Sequence, residues 1–205
     1  MISIALNFVN QSNDTNPGGI VIFQQNSAGP NEAVTAWRVF QDIGQGVAHP
    51  FSVPIDLTVA ASDSYGTITP QLPAPNGTRF DMVSSIRGNQ LQLSQTPASA
   101  PQMVEVYNEL PVGAIAALVY RDGRLLSQKT GMGPGQKAQF VFEPAIYIKL
   151  NSEVQEGEIM DAGTMSDKTM ISLLGIKSAD IVMSGGGSGP DAQPIIFSLQ
   201  NVTMA

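Results

Sequence analysis

The chain contains no cysteine, one histidine and one tryptophan, and only 13% of its 205 residues are charged. Without cysteine there is neither a disulfide nor a thiolate metal site. The single histidine, His49, removes most catalytic options, because a mononuclear iron or zinc site ordinarily draws on two or three imidazoles, and a Ser-His-Asp triad has only this one to use. It stands in Gly46-Val47-Ala48-His49-Pro50, before a proline that forces extended backbone, and no Gly-x-Ser-x-Gly elbow accompanies it. A structural histidine is the simpler reading.

Charge is scarce and of the wrong sign for polyanions. Ten basic residues are scattered against seventeen acidic ones, a formal net charge of −7, which argues against nucleic acid and anionic membranes as partners. No apolar run reaches the roughly 20 residues that span a bilayer. The first residues, Met1 to Val9, lack a basic flank and alternate apolar with small or polar, so they read as a strand and not a signal peptide. On that reading the chain is cytoplasmic as synthesised, or exported by a non-classical route. Asn-x-Ser/Thr triplets at Asn10, Asn13, Asn76 and Asn201 are then fortuitous.

What the chain has is short strand-type runs punctuated by glycine and proline. Val112 to Leu150 is the clearest region. Gly113 to Tyr120 is apolar, Arg121-Asp122-Gly123-Arg124 supplies an Asp-Gly hairpin signal, and Leu125 to Lys129 returns. Gly131 to Gly135 turns again, and Ala138 to Phe142 and Ile146 to Leu150 continue, which reads as a β-meander. Phe51 to Val59 alternates, with Pro54 placing it on a sheet edge or at a bulge. Glu32 to Phe40 fits neither period cleanly and is assigned to strand. Thr164 to Gly175, starting near Ser166 or Asp167, is the one plausible helix, although Ile171 to Leu174 suits a strand equally.

These runs imply an all-β chain: one domain over 1–205, an antiparallel β-sandwich or barrel-like fold of roughly ten short strands with at most one short helix. No internal repeat and no long linker divides it.

Several stretches invite a chemical reading. Gly185-Gly186-Gly187-Ser188-Gly189-Pro190 follows a strand as a phosphate loop would, but it lacks the lysine, and a proline stands where a helix should begin, so it is a turn. Asp161, Asp167 and Asp180 offer oxygen ligands without the spacing of a calcium loop and read as a solvated acidic face. Ser62-Asp63-Ser64-Tyr65-Gly66 is a polar corner in which Asp63 holds its own backbone. The functional alternative there is a shallow sugar site, with Asp63 gripping hydroxyls and Trp37 or Tyr65 stacking on a ring.

The blocks Ile22-Phe23-Gln24-Gln25-Asn26, Ala36-Trp37-Arg38-Val39, His49-Pro50-Phe51, Ala61-Ser62-Asp63-Ser64-Tyr65-Gly66, Pro134-Gly135-Gln136-Lys137-Ala138 and Ser178-Ala179-Asp180-Ile181-Val182-Met183 give a resemblance running end to end. In them the chain resembles a family of bacterial and fungal proteins of about this length, often labelled "aromatic ring-opening dioxygenase". The resemblance implies a shared fold and, by the label, ring opening at iron held by two histidines and a carboxylate. One chain supplies one of those histidines, so that site needs His49 from two subunits. No established catalytic residues come with the resemblance.

The residues themselves, with no catalytic constellation and no implied cofactor, point to a non-catalytic interaction or self-assembling structural protein whose partners are copies of itself. A surface-recognition module for carbohydrate or lipid headgroups is the alternative, and a metal-dependent dioxygenase the third reading.

Overall fold

A computed structural model describes residues 2–14, 18–29, 33–160 and 167–205. Pro30, Asp161 and the Ser166 helix start lie outside the described residues. In chain order the strands are β1 (Ser3–Asn10), β2 (Ile20–Phe23), β3 (Val34–Thr35), β4 (Arg38–Phe40), β5 (Ala48–Pro54) and β6 (Thr58–Ser62). Then come β7 (Leu72–Pro73), β8 (Arg79–Ser85), β9 (Gly88–Leu93), β10 (Val104–Asn108), β11 (Ile115–Arg121) and β12 (Arg124–Met132). The last are β13 (Lys137–Phe140), β14 (Ala145–Leu150), β15 (Ile159–Met160), β16 (Thr169–Ser172), β17 (Ile176–Gly186) and β18 (Gln193–Met204). The fold is all-β and sandwich-like, with no closed barrel and no helix among the described residues. The stretch proposed as a helix is a strand where it is described: β16 covers Thr169–Ser172, because Met170 and Ile171 alternate outward and inward rather than forming a helical stripe.

Contacts divide the chain into two compact units. The first comprises Met1–Gln25, Ala33–Ile55 and Pro144–Ala205, and the second Asn26–Glu32 and Asp56–Glu143.

In the first unit one sheet runs β18-β17-β1-β5 and another β16-β14-β2-β4, with a two-stranded ribbon β15-β3. Leu6 and Phe8 of β1 are buried and lie in register with Ala179 and Ile181 of β17, a parallel pairing. Phe40 on β4 meets Phe51 on β5 with ring centroids 5.7 Å apart, which ties the two large sheets. All four residues of β2 are buried. The pleat explains this, since successive side chains leave by opposite faces: Val21 and Phe23 pack with Val34, Ala36, Val154 and Met160 beside the ribbon, and Ile20 and Ile22 leave by the other face.

In the second unit the sheets are β12-β11-β6-β7 and β13-β10-β8-β9. The Asp-Gly hairpin forms as expected, Asp122 and Gly123 both adopting positive φ, 55° and 72°. The rest of the meander does not. β13 pairs with β10, and β14 belongs to the first unit, paired with β2 and β16. Hairpin logic sees only sequence neighbours. It also missed the two parallel pairings, β1 with β17 and β8 with β10. Pro54 does stand on an edge strand, as its missing donor requires.

Candidate functional site

The second unit concentrates the features that could meet a ligand. At its polar corner Asp63 Oδ1 accepts hydrogen bonds from the amides of Tyr65 and Thr67, both at 3.0 Å, and its backbone N–H donates to Thr67 O at 3.1 Å. Asp63 therefore builds the corner, and Tyr65 stands at its tip, 92% exposed.

Below that corner, the open seam between the two sheets carries two grooves that share Leu72 and Leu91. One, of about 350 Å³, is bordered by Asp63, Thr67, Thr69, Asn89 and Gln90. The other, of about 530 Å³, is walled by Pro73, Pro75, Phe80 and Leu93. The seam exists because β7 is only two residues long and ends in Pro73, so it cannot extend the sheet over β9.

Trp37 belongs to the first unit, and its ring is wholly buried, with the Arg38 guanidinium 5.1 Å from its centroid. In this structure it is a core side chain. Asp63 and Tyr65 share one corner of the second unit, so the three proposed sugar-site residues are divided between two units.

A polar ladder on the outer face of the β13-β10-β8-β9 sheet was not foreseen as a unit. Glu105 on β10 pairs with Arg79 on β8 and Gln139 on β13, and Tyr107 with Asp81 and Lys137. Glu105 Oε1 accepts from Ser99 Oγ at 2.6 Å, Gln139 Nε2 at 2.8 Å and Lys137 Nζ at 3.0 Å. Burial pushes its carboxyl up, but the three hydrogen bonds and the Lys137 charge outweigh it and hold the pKa at about 2. Lys137 Nζ also lies 2.8 Å from Ser99 Oγ. Arg79 sits 2.7 Å from Asp81 and 4.2 Å from the Tyr107 ring centroid. The sequence signal was the period-2 recurrence of polar residues on β8, β10 and β13 at Arg79/Asp81, Glu105/Tyr107 and Lys137/Gln139.

His49, Asp180 and the glycine loop are internally satisfied, and Asp167 is exposed. His49 stacks on Phe40 at 4.9 Å, and its Nε2 is 2.8 Å from Asp42 O. Asp180 accepts from Asn7 at 3.2 Å and Asn201 at 2.6 Å. The glycine loop does make an anion nest, with Gly185, Gly186 and Gly187 all at positive φ, but the Asp14 carboxylate fills it, accepting from Gly187 N–H at 2.6 Å. Asn10 is buried at the end of β1, its amide donating to Ile43 O, which identifies this triplet as structural. Among the described residues no three His, Asp or Glu side chains gather as a metal set.

Comparison with known proteins returns no match: no family model fits the chain, and no curated protein or solved structure is significantly similar to it.

Proposed function

We propose that this chain is a non-catalytic interaction protein that assembles with copies of itself through the outer edge of β18. The observation that carries the reading is how unevenly the sheet edges are protected. β5 bears Pro50 and Pro54, and β7 ends in Pro73. β12 carries Arg124 and Lys129, β13 carries Lys137, and β4 and β16 have three and four residues. Prolines, charges and brevity are the ordinary means of blunting an edge. β9 is uncharged but has only six residues and starts beside Arg87.

β18 has none of these protections over most of its length. It is twelve residues long, contains no charged residue, and has its one proline at Pro194, near the start. Between its register shifts, Ile196 to Gln200 pair regularly with Ser184 to Asp180 of β17, leaving the opposite row of backbone donors and acceptors at the sheet boundary. Such a row is complementary to a second copy of itself in antiparallel register, and the low charge of the chain opposes that approach weakly.

Light scattering on the native protein, with elemental analysis of the same sample, tests this. A dimer or larger assembly is expected, reduced to monomer by the exposed double substitution Ile196→Lys/Gln200→Lys. A monomeric wild type, or a variant of unchanged mass, would overturn the assembly reading, and stoichiometric iron the non-catalytic one.

A further inference from the structure

We infer that one end of the second unit is a docking surface for a neutral lipid bilayer, made by the tips of three loops: Tyr65, Ile86 and Val112. The register places them together. β8 and β10 are parallel, so the turn after Ser85 and the loop after Asn108 leave from the same end. β11 starts at that end, and β6, antiparallel to it with Ser62 opposite Ala116, finishes there. Gly113 and Ser64 are near neighbours, since a Cβ added at Gly113 would lie 3.7 Å from Ser64 Oγ.

The tips are extreme in exposure: Tyr65 92%, Ile86 104% and Val112 78%. Ile68, on the same end, is also exposed. At the opposite end, the loops 74–78 and 94–103 and the Asp122-Gly123 turn expose no large apolar side chain. Exposed apolar residues scattered singly carry no message, but three on adjacent loop tips, against the single Leu93 where β9 finishes at the other end, make one end of the unit unlike the other.

A bilayer fits this end better than a folded partner. Each tip stands on its own loop, so a protein would need three matched sockets, whereas a fluid interface receives separate knobs as they come. Tyr65 has the apolar ring and polar hydroxyl that favour the headgroup level, and Arg87 beside Ile86 has a long stem that keeps its charge among phosphates while the isoleucine enters. Acidic groups at this end are engaged: Asp63 Oδ1 by two loop amides, and Glu109 by Arg79 at 3.4 Å. From Asp56 to Glu143 there are six Lys and Arg against seven Asp and Glu, a formal −1, so the net charge of −7 is mostly elsewhere in the chain. Attraction to anionic lipid is therefore not the driving term; burial of the tips is.

Co-sedimentation of the full chain with phosphatidylcholine vesicles tests the inference. Binding is expected, and Tyr65→Ser/Ile86→Ser/Val112→Ser should weaken it roughly tenfold or more. Ile86→Trp provides a reading that does not depend on loss: the emission of the introduced indole should shift to shorter wavelength on vesicle addition. No binding by the wild type, equal binding by the triple variant, an unmoved emission spectrum for Ile86→Trp, or binding only to vesicles containing phosphatidylserine would each overturn it.

Discussion

Lys137 Nζ lies 3.0 Å from Glu105 Oε1 across the β13–β10 pairing, and the carboxylate it faces is 2% exposed. The pair spans 32 residues of sequence, so it forms only once these strands are aligned. Because the Glu105 pKa is lowered from 4.5 to about 2, its contribution to stability is complete above the unfolded value and is lost as pH falls from about 4.5 to 2. The stability difference between wild type and Glu105→Gln, from urea midpoints, should shrink by about 2 kcal/mol between pH 6 and pH 3. A pH-independent difference would mean that the ladder does not hold the carboxylate ionised.

The glycine loop makes a second prediction. Gly186 has φ +74°, and a Cβ there would lie 2.7 Å from the Asp14 carboxyl carbon, whereas Gly189, at φ +82°, has nothing within 4 Å. Gly186→Ala should therefore cost about 2–3 kcal/mol and Gly189→Ala about 1 kcal/mol, since only the first combines left-handed strain with a clash. Thermal unfolding separates them, and equal costs would count against an occupied nest.

The strands themselves were largely legible, because turn chemistry is local: a type I′ turn needs positive φ at both central positions, and Asp122-Gly123 adopts it. Partners were not. Phe8 and Ile181 are in register across more than half the chain, and no periodicity in either strand announces the other. The same limit explains Trp37. Its neighbours Ala36 and Arg38 look like those of any aromatic on a half-exposed strand, and only the ribbon formed by β3 with the distant β15 places Ala36 in a core cluster. Asp63 was legible because an aspartate that bonds amides two and four residues ahead needs no tertiary partner.

That contrast gives a third prediction. Trp37→Ala should cost about 3–5 kcal/mol, as expected for removing a wholly buried indole, while Tyr65→Ala should stay within about 0.5 kcal/mol. Native Trp37 fluorescence should also resist quenching by iodide until the protein unfolds. A mild loss at Trp37 would mean that the ring is not enclosed as described.

Asn108 is fully buried at the end of β10 in the second unit. Its Nδ2 donates to Met132 O at 2.8 Å and Gly113 O at 3.0 Å, and its Oδ1 accepts from Leu110 N–H at 3.0 Å. One carboxamide thus joins the end of β10, in one sheet, to the last residue of β12, in the other, and sets the path of the Val112 loop. Asn108→Ala removes all three bonds and leaves buried backbone groups without partners, at about 3–4 kcal/mol. Asn108→Asp should do at least as badly, because a carboxylate presents acceptors to two carbonyl oxygens and brings a buried charge. Urea unfolding gives the cost, and hydrogen exchange at the Leu110 amide locates it. A loss below about 1 kcal/mol for the alanine variant would show that the two sheets hold together without this link.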